Sequence, residues 1–299
     1  MNKFEYEIII FTSGPKAYAP LRIQEECTRL NFKLKIIAYK EVGITFNNDG
    51  YELNFNGDKM PLSKSIFLRG LGEDPVYNPL KIAIVNWYKN NNSNVLNYNS
   101  FNTWPSLDKT TQYFNLSQNN LPIVESFSFG NKENLLVWAK NNYPFISKDT
   151  TGSCGNNVFK IKNDKDLDEF IANKYAGNIK IKTFLFQKFL VSGEDLRVIV
   201  LGGKIMGAMK RIAQSGQYLT NYSQGGQVEK YDIETDLNAQ EIALSVAKLF
   251  KLDYCGVDLM RDNNGNWVVL EVNRACQFEG FEKSTGINVA GNIAEYLTK

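Results

Sequence analysis

The chain has 299 residues, 43% hydrophobic and 22% charged, the make-up of a folded globular protein large enough for two or three lobes. With 34 Lys and Arg against 32 Asp and Glu, the net charge is +2, and no basic run stands out, so composition points away from a nucleic-acid partner. There is no histidine, which excludes Ser-His-Asp and Cys-His catalysis and most zinc hydrolase schemes; chemistry must rest on metal, Lys, Arg, carboxylates and backbone amides.

No apolar run approaches a membrane span, and the start MNKFEYEIII carries acidic residues where a signal peptide would be basic. The expected compartment is therefore cytoplasmic. Cys27, Cys154, Cys255 and Cys276 are widely spaced, which suggests neither a zinc site nor a disulfide framework.

In chain order, the first lobe reads as α/β. A buried strand over 6–11 leads through a Gly-Pro turn into an amphipathic helix to about residue 30, and 34–39 is a second strand, the βαβ start of an open parallel sheet. A hairpin follows over 44–46 and 51–55 around an Asp-Gly turn. A strand at 65–69 ends in Arg69-Gly70, a helix spans 79–89, and 95–97 is a short strand. The glycine fingerprint of a dinucleotide site is missing after the first strand, so this lobe reads as structure and part of a substrate surface.

The pattern relaxes over 99–105. A helix runs from 107 to 118 with Lys109 at its start, where a lone lysine is ordinarily solvated. Further elements are a strand at 122–125, a helix at 133–140 and a strand at 145–148 ending in Lys148. The stretch 151–158, TGSCGNNV, then places small residues between two strands. Such a loop can aim several N–H groups at one anion, although an ordinary Gly-containing hairpin has the same look. A helix at 164–174 and a strand at 183–190 follow. A hairpin at 196–201 and 204–212 turns on Gly202-Gly203 and ends in Lys210-Arg211. An amphipathic helix over 238–250 leads to the last hairpin, and 289–297 is a closing helix.

The last hairpin carries the densest chemistry. Asp258 stands between apolar neighbours in its first arm; Glu271 and Asn273, two apart, share a face of its second. A four-residue loop would put Asp258 directly opposite Glu271, and a five-residue loop would put them on opposite faces. Two carboxylates and an amide oxygen on one face make a hard-oxygen cluster suited to Mg²⁺ or Mn²⁺, whereas a solvated strand face has the same residue pattern.

The order of these pieces resembles the ATP-grasp enzymes. Its signs are a strand-end Lys before a Gly/Ser loop, Gln187-Lys188-Phe189-Leu190, Gly193-Glu194-Asp195-Leu196-Arg197, Lys210-Arg211, Gly256-Val257-Asp258-Leu259 and Leu270-Glu271-Val272-Asn273. Within them the sequence looks most like the RimK-like carboxylate-amine ligases, through Ala208-Met209-Lys210-Arg211, Thr220-Asn221, Ser223-Gln224-Gly225-Gly226 and the run from Phe278 to Asn288. The resemblance implies an α/β ATP-grasp fold. An open α/β domain over 1–104 would precede two α+β lobes, 105–190 with the phosphate loop and 191–299 with the metal site, which grip ATP.

It also implies roles. Lys109 and Lys148 would contact ATP phosphates, under a loop containing Gly152, Ser153, Gly155 and Val158. Gln187, Lys188, Phe189 and Leu190 would edge the adenine, with Asp195 near the ribose. Lys210, Arg211 and Asn221 would face the transferring phosphoryl group, and Asp258, Glu271 and Asn273 would hold two Mg²⁺, with Mn²⁺ a substitute. A carboxylate would attack the γ-phosphate to give an acylphosphate, which an amine converts to an amide. The implied partners are an amino acid and a carboxylate-bearing small molecule, peptide or protein, with no nucleic acid and no membrane; a homo-oligomer is compatible with the resemblance.

The chain departs from the family at Asp149, Asn157 and Lys188, and most at Asn273-Arg274-Ala275-Cys276-Gln277, where relatives usually carry small residues and Pro-Gly. Arg274, with Arg197, is expected to grip a substrate carboxylate, the alternative being a surface arginine on a loop. An ATP-grasp kinase acting on a hydroxyl and a non-catalytic ATP-binding protein stand as alternatives to the ligase.

Overall fold

The computed structural model describes residues 4–70, 75–152, 157–175, 183–214, 220 and 226–299. Three of the expected site residues, Ser153, Gly155 and Asn221, lie outside them, as does most of the Ser223-Gln224-Gly225-Gly226 loop.

β1 (Tyr6–Thr12) is an apolar run because both its faces are covered. It pairs in parallel with β2 (Leu34–Ala38) and with β6 (Ser63–Leu68), which pairs in parallel with β7 (Asn94–Val95), giving the order β2-β1-β6-β7. One face packs Ile9, Phe11, Ile66 and Leu68 against Ile84, Val85 and Tyr88 of α2 (Asn78–Asn90). The other packs Ile8, Ile10 and Phe67 with α1 (Tyr18–Arg29) and α9 (Val289–Thr298), so the closing helix returns to the first sheet. A separate sheet, β3 (Val42–Asn47), β4 (Gly50–Phe55) and β5 (Asp58–Lys59), contains the hairpin expected around the Asp-Gly turn.

The third sheet has the order β10-β9-β11-β8, from β8 (Ser126–Ser128), β9 (Phe145–Asp149), β10 (Val158–Ile161) and β11 (Phe184–Lys188), around Phe145, Phe184 and Phe186. The fourth has the order β14-β13-β12-β15-β16, from β12 (Glu194–Leu201), β13 (Lys204–Ile212), β14 (Gln227–Tyr231), β15 (Tyr254–Arg261) and β16 (Trp267–Asn273). Leu196, Val198, Val257, Leu259 and Val269 meet Ile242, Ala243 and Val246 of α7 (Leu237–Leu249), so apolar alternation commits one face to the core and leaves the other for polar residues. No described helix is long and apolar enough to cross a membrane.

Several elements differ from the sequence reading. The strand expected at 122–125 forms at Ser126–Ser128, while Ile123 makes only an isolated bridge to Val269. The stretch where the pattern relaxes contains a short helix, α3 (Tyr98–Thr103), and a second short helix, α8 (Glu279–Thr285), is closed by Gly286 in the left-handed conformation (φ 73°). Neither is long enough to show a helical period.

Asn97 explains why the chain turns into α3. Buried and left-handed (φ 62°), it accepts from Tyr254 N (2.9 Å) through Oδ1, and through Nδ2 donates to the carbonyls of Tyr254 (2.8 Å) and Arg274 (3.0 Å). Its own N–H donates to Asp253 Oδ2 at 2.8 Å. One side chain thus ties the chain after β7 to both ends of the β15–β16 hairpin. Asn97→Ala strands three buried backbone groups and is expected to cost about 2–4 kcal/mol of stability, read as a lowered urea midpoint with an unchanged m-value.

Candidate active site

The β15–β16 connection is five residues, 262–266, yet Asp258 pairs with Glu271. A bulge accounts for it: Leu259 pairs with Val269 and Asp258 with Glu271, so Leu270 is the extra residue that shifts the register back by one. The expectation that a five-residue loop separates the two carboxylates is therefore corrected by the bulge. Gly256, paired with Asn273, admits the returning chain, since a Cβ there would stand 2.7 Å from Cys276 Cβ.

Pairing then assembles the polar face. Arg197 stands opposite Asp258, and Asp195, two residues away on the same face of β12, stands opposite Arg211. Arg197 donates from Nε and Nη2 to the two Asp258 oxygens, both at 2.7 Å. Arg211 donates to Asp195 through Nε (2.6 Å) and Nη2 (2.8 Å) and reaches Asp258 Oδ2 at 2.9 Å; Thr220 Oγ1 also donates to Asp195. Burial alone would raise the Asp258 carboxyl, but the charges of Arg197 and Arg211 hold it down at about 2.

Asn273 Nδ2 donates to Glu271 Oε1 (3.1 Å), and Lys109 Nζ lies 3.8 Å from Glu271 Oε2. Lys109 is well covered rather than solvated: it opens α4 (Lys109–Gln118), its ammonium donates to Gly152 O, and its N–H donates to Thr150 O at 3.1 Å. The helix start is thus tied to Thr150 and Gly152, where the small-residue stretch begins. Gln112 locks the same helix to β16, accepting from Val272 N (2.8 Å) and donating to Val272 O (3.1 Å). β9 and β10 pair on either side of the loop, with Val158 opposite Lys148. Asp149 turns the chain into it by accepting from Thr151 N at 2.9 Å, and Asn157 supplies a left-handed residue (φ 59°) before β10. Burial pushes the Lys148 ammonium down to about 8; Lys109 acts in the same direction and Glu271, Asp195 and Asp258 oppose it.

Lys109, Gly152, Arg197, Arg211, Glu271 and Asn273 line a cavity of about 450 Å³. Arg274 also lines it, buried rather than on a surface loop, with its guanidinium 4.6 Å from the Phe101 ring centroid and Nη2 donating to Trp104 O.

The other expected site residues have their own partners. Lys210 and Arg211 are neighbours on β13 and so face opposite sides. Arg211 faces Asp195, while Lys210 pairs with Glu229 (2.6 Å) and Glu194 (3.5 Å), a correction to their joint placement at one phosphoryl group. The Asp195 carboxylate is engaged by Arg211 and Thr220 instead of being presented outward, and Arg197 is engaged by Asp258 instead of standing ready beside Arg274. Gln187 is buried and donates to Ser126 Oγ (3.2 Å); Lys188 points to exposed Glu125 (3.8 Å); and Phe189 carries the Lys160 ammonium over its ring at 3.4 Å, with Leu190 next in the chain. A strand-end Arg-Gly and an Asn in a polar stretch carry no sequence pattern that marks Arg69 and Asn97 as site residues.

As metal donors, Glu271 and Asn273 present hard oxygens to the cavity, which fits Mg²⁺. Asp258 fits as a third only when one arginine releases an oxygen. Among the described residues no group of three or more His, Cys, Asp and Glu forms a metal cluster.

Residues 119–297 match the family model of the RimK-like ATP-grasp domain. The chain is 25% identical over 284 residues to human beta-citrylglutamate synthase B, covering 92% of this chain and 71% of that protein. It is 26% identical over 305 residues to a probable alpha-L-glutamate ligase of Psychromonas ingrahamii, covering 98% and 95%. Among solved structures it is similar to the ATP-grasp ligase PsnB in complex with a precursor variant, Mg and ADP (TM-score 0.72, 19% identity, 99% and 98% covered), and to the D-cycloserine synthetase DcsG (TM-score 0.69, 14%, 97% and 98%). The chain belongs to the RimK-like ATP-grasp family, ligases that form amide bonds at the expense of ATP.

Proposed function

We propose that the chain joins an amino acid to a carboxylate-bearing small molecule, peptide or protein through an acylphosphate. The observation that carries this reading is the meeting, at one cavity, of the Lys109–Gly152 corner with Glu271, Asn273 and the paired arginines. The names of the relatives support an acidic amino acid as one partner.

The carboxylate oxygen attacks the γ-phosphorus of ATP, and the bond from that phosphorus to the β-bridging oxygen breaks, releasing ADP. The amine then attacks the acyl carbon, phosphate leaves with the acyl-oxygen bond, and the amine proton passes to solvent or phosphate. Neither step needs a protein nucleophile, in keeping with a chain without histidine. Lys109, Lys148 and the loop from Gly152 to Val158 hold phosphates, Gln187 to Leu190 edge the adenine, and Arg211 faces the moving phosphoryl group. Glu271 and Asn273 would hold Mg²⁺, two ions if Asp258 joins them by releasing an arginine, and the metal would supply positive charge to neutralise phosphate oxygens. Asp195 orients Arg211 rather than meeting the ribose. We assign three lobes, 1–104, 105–190 and 191–299, supported by the containment of each sheet's strands within one of them.

Screening Mg²⁺-dependent ADP release against amino acids paired with carboxylates, with mass spectrometry of products, tests the reading. Release that requires both partners and gives an amide supports it, and release with a hydroxyl compound alone overturns it. Arg274→Ala is expected to raise the KM of one ligation substrate about ten-fold, as loss of a charged hydrogen bond does, with the KM of ATP unchanged. Unchanged KM values for every ligation substrate would remove Arg274 from the site.

Lys148 gives a pH signature. Its folded pKa of about 8 lies below the ordinary lysine value of 10.5, so the buried charge opposes folding below pH 8 and that penalty fades as pH rises through 8 toward 10.5. Phosphate binding runs the other way, because the ammonium is lost over the same range. The KM of ATP is expected to climb above pH 8, and the Lys148→Met variant to show a higher KM without that climb.

A further inference from the structure

Arg69 follows directly on β6, and its side chain lines the cavity. It is 2% exposed, held between the rings of Phe67 and Phe278 with its guanidinium carbon 5.3 and 5.4 Å from their centroids. Nη2 donates to the carbonyls of Ala275 (3.3 Å) and Cys276 (3.1 Å), whereas Nη1 is buried with no hydrogen-bond partner among the described residues. Among the described residues no carboxylate forms an ion pair with Arg69. Arg197 and Arg211, on the same cavity, are each matched by Asp258 or Asp195. Two carbonyls solvate part of the Arg69 fork but do not neutralise its charge, and a buried cation without a counter-charge is strongly disfavoured.

Two further observations favour an anion there. In the sheet order β2-β1-β6-β7 the chain leaves β1 on one side and enters β6 on the other, and Arg69 sits at the carboxyl end of that β1–β6 switch point, its N–H donating to Phe11 O at 2.7 Å. Open α/β sheets bind ligands at such a crevice. The 12-residue helix α1 also begins there: Ala17 and Tyr18 line the cavity, and the cap residue Ala17 brings no side chain to its first N–H groups. An uncapped helix start adds partial positive charge beside the guanidinium.

We infer that Arg69 and the start of α1 hold a carboxylate of the ligation substrate that the reaction does not consume. The site selects a partner carrying one acidic group beyond the reacting pair, at the wall of the cavity formed by the first lobe. It deepens the ligase reading and rests on it for the identity of the ligand as a ligation substrate. That carboxylate comes from a second acid on the carboxyl donor or from the amino acid.

Equilibrium binding to the full chain with Mg²⁺ and ADP, without turnover, distinguishes the sources. Succinate is compared with its monoamide succinamate, and L-glutamate with its two monoamides, glutamine and isoglutamine. The native chain is expected to bind one of the diacids at least ten-fold more tightly than a monoamide of it, and the pair that shows the difference names the source. In Arg69→Gln the ratio is expected to fall within two-fold while ADP affinity holds. Should that variant not fold, Arg69→Lys, which keeps the charge but not the fork, is expected to reduce the ratio at least three-fold. Discrimination that persists in the folded variant, or that is absent from the native chain for both sets, overturns the site. The absence of an amide product from every pair tried would instead count against the ligase reading, and the binding ratios would still decide the anion site.

Discussion

Asp258 held between Arg197 and Arg211 is the interaction on which the rest of the site depends. A carboxylate placed on the inner face of a sheet is costly unless paired, and here three guanidinium nitrogens reach its two oxygens, while Arg211 also serves Asp195. Four charges thereby balance within one face of β12, β13 and β15, and each arginine is fixed by a fork-shaped contact that a lysine could not reproduce. Removing any one member leaves the others buried and unmatched. The same balance lets Glu271, one pair further across the sheet, remain on the cavity beside Asn273 and Lys109.

The cavity belongs to no single segment. α4 supplies Lys109 and is pinned to β16 by Gln112; the end of β6 supplies Arg69, and Asn97 after β7 is pinned to the β15–β16 hairpin; and α9 packs against α1 and the first sheet. Each joint is made by a polar side chain satisfying backbone groups that a sheet or helix end leaves open, so a misplaced lobe would leave buried donors and acceptors unpaired. Stacking Arg69 between Phe67 and Phe278 adds a further seam, since these aromatics come from β6 and from the stretch before α8. The charges at the cavity therefore owe their positions to contacts made far apart in the chain.

Much of the frame was legible because periodicity is a local property. The apolar run of β1, the Asp-Gly and Gly-Gly hairpins and the amphipathic α7 announce themselves within a few residues, and the order of motifs from Lys109 to Asn273 carries the family. Elements too short to repeat, such as α3 and α8, do not show a period. Adjacent residues also mislead: Lys210 and Arg211 read as a cationic pair, yet a strand turns neighbours to opposite faces and gives only Arg211 to the site.

The sequence by itself determined which residue types were available, the alternation that sends Glu271 and Asn273 to one face, and the absence of histidine chemistry. Only the tertiary structure decided which carboxylate is clasped by two arginines and which is left to a lysine and an amide, because that depends on cross-strand register, and the register turns on one bulge residue, Leu270, that no local pattern marks. It also decided that Arg69 is buried with no counter-charge among the described residues. The burial of a side chain is a property of everything packed around it, and for Arg69 that includes Phe278 and Cys276, more than 200 positions away along the chain.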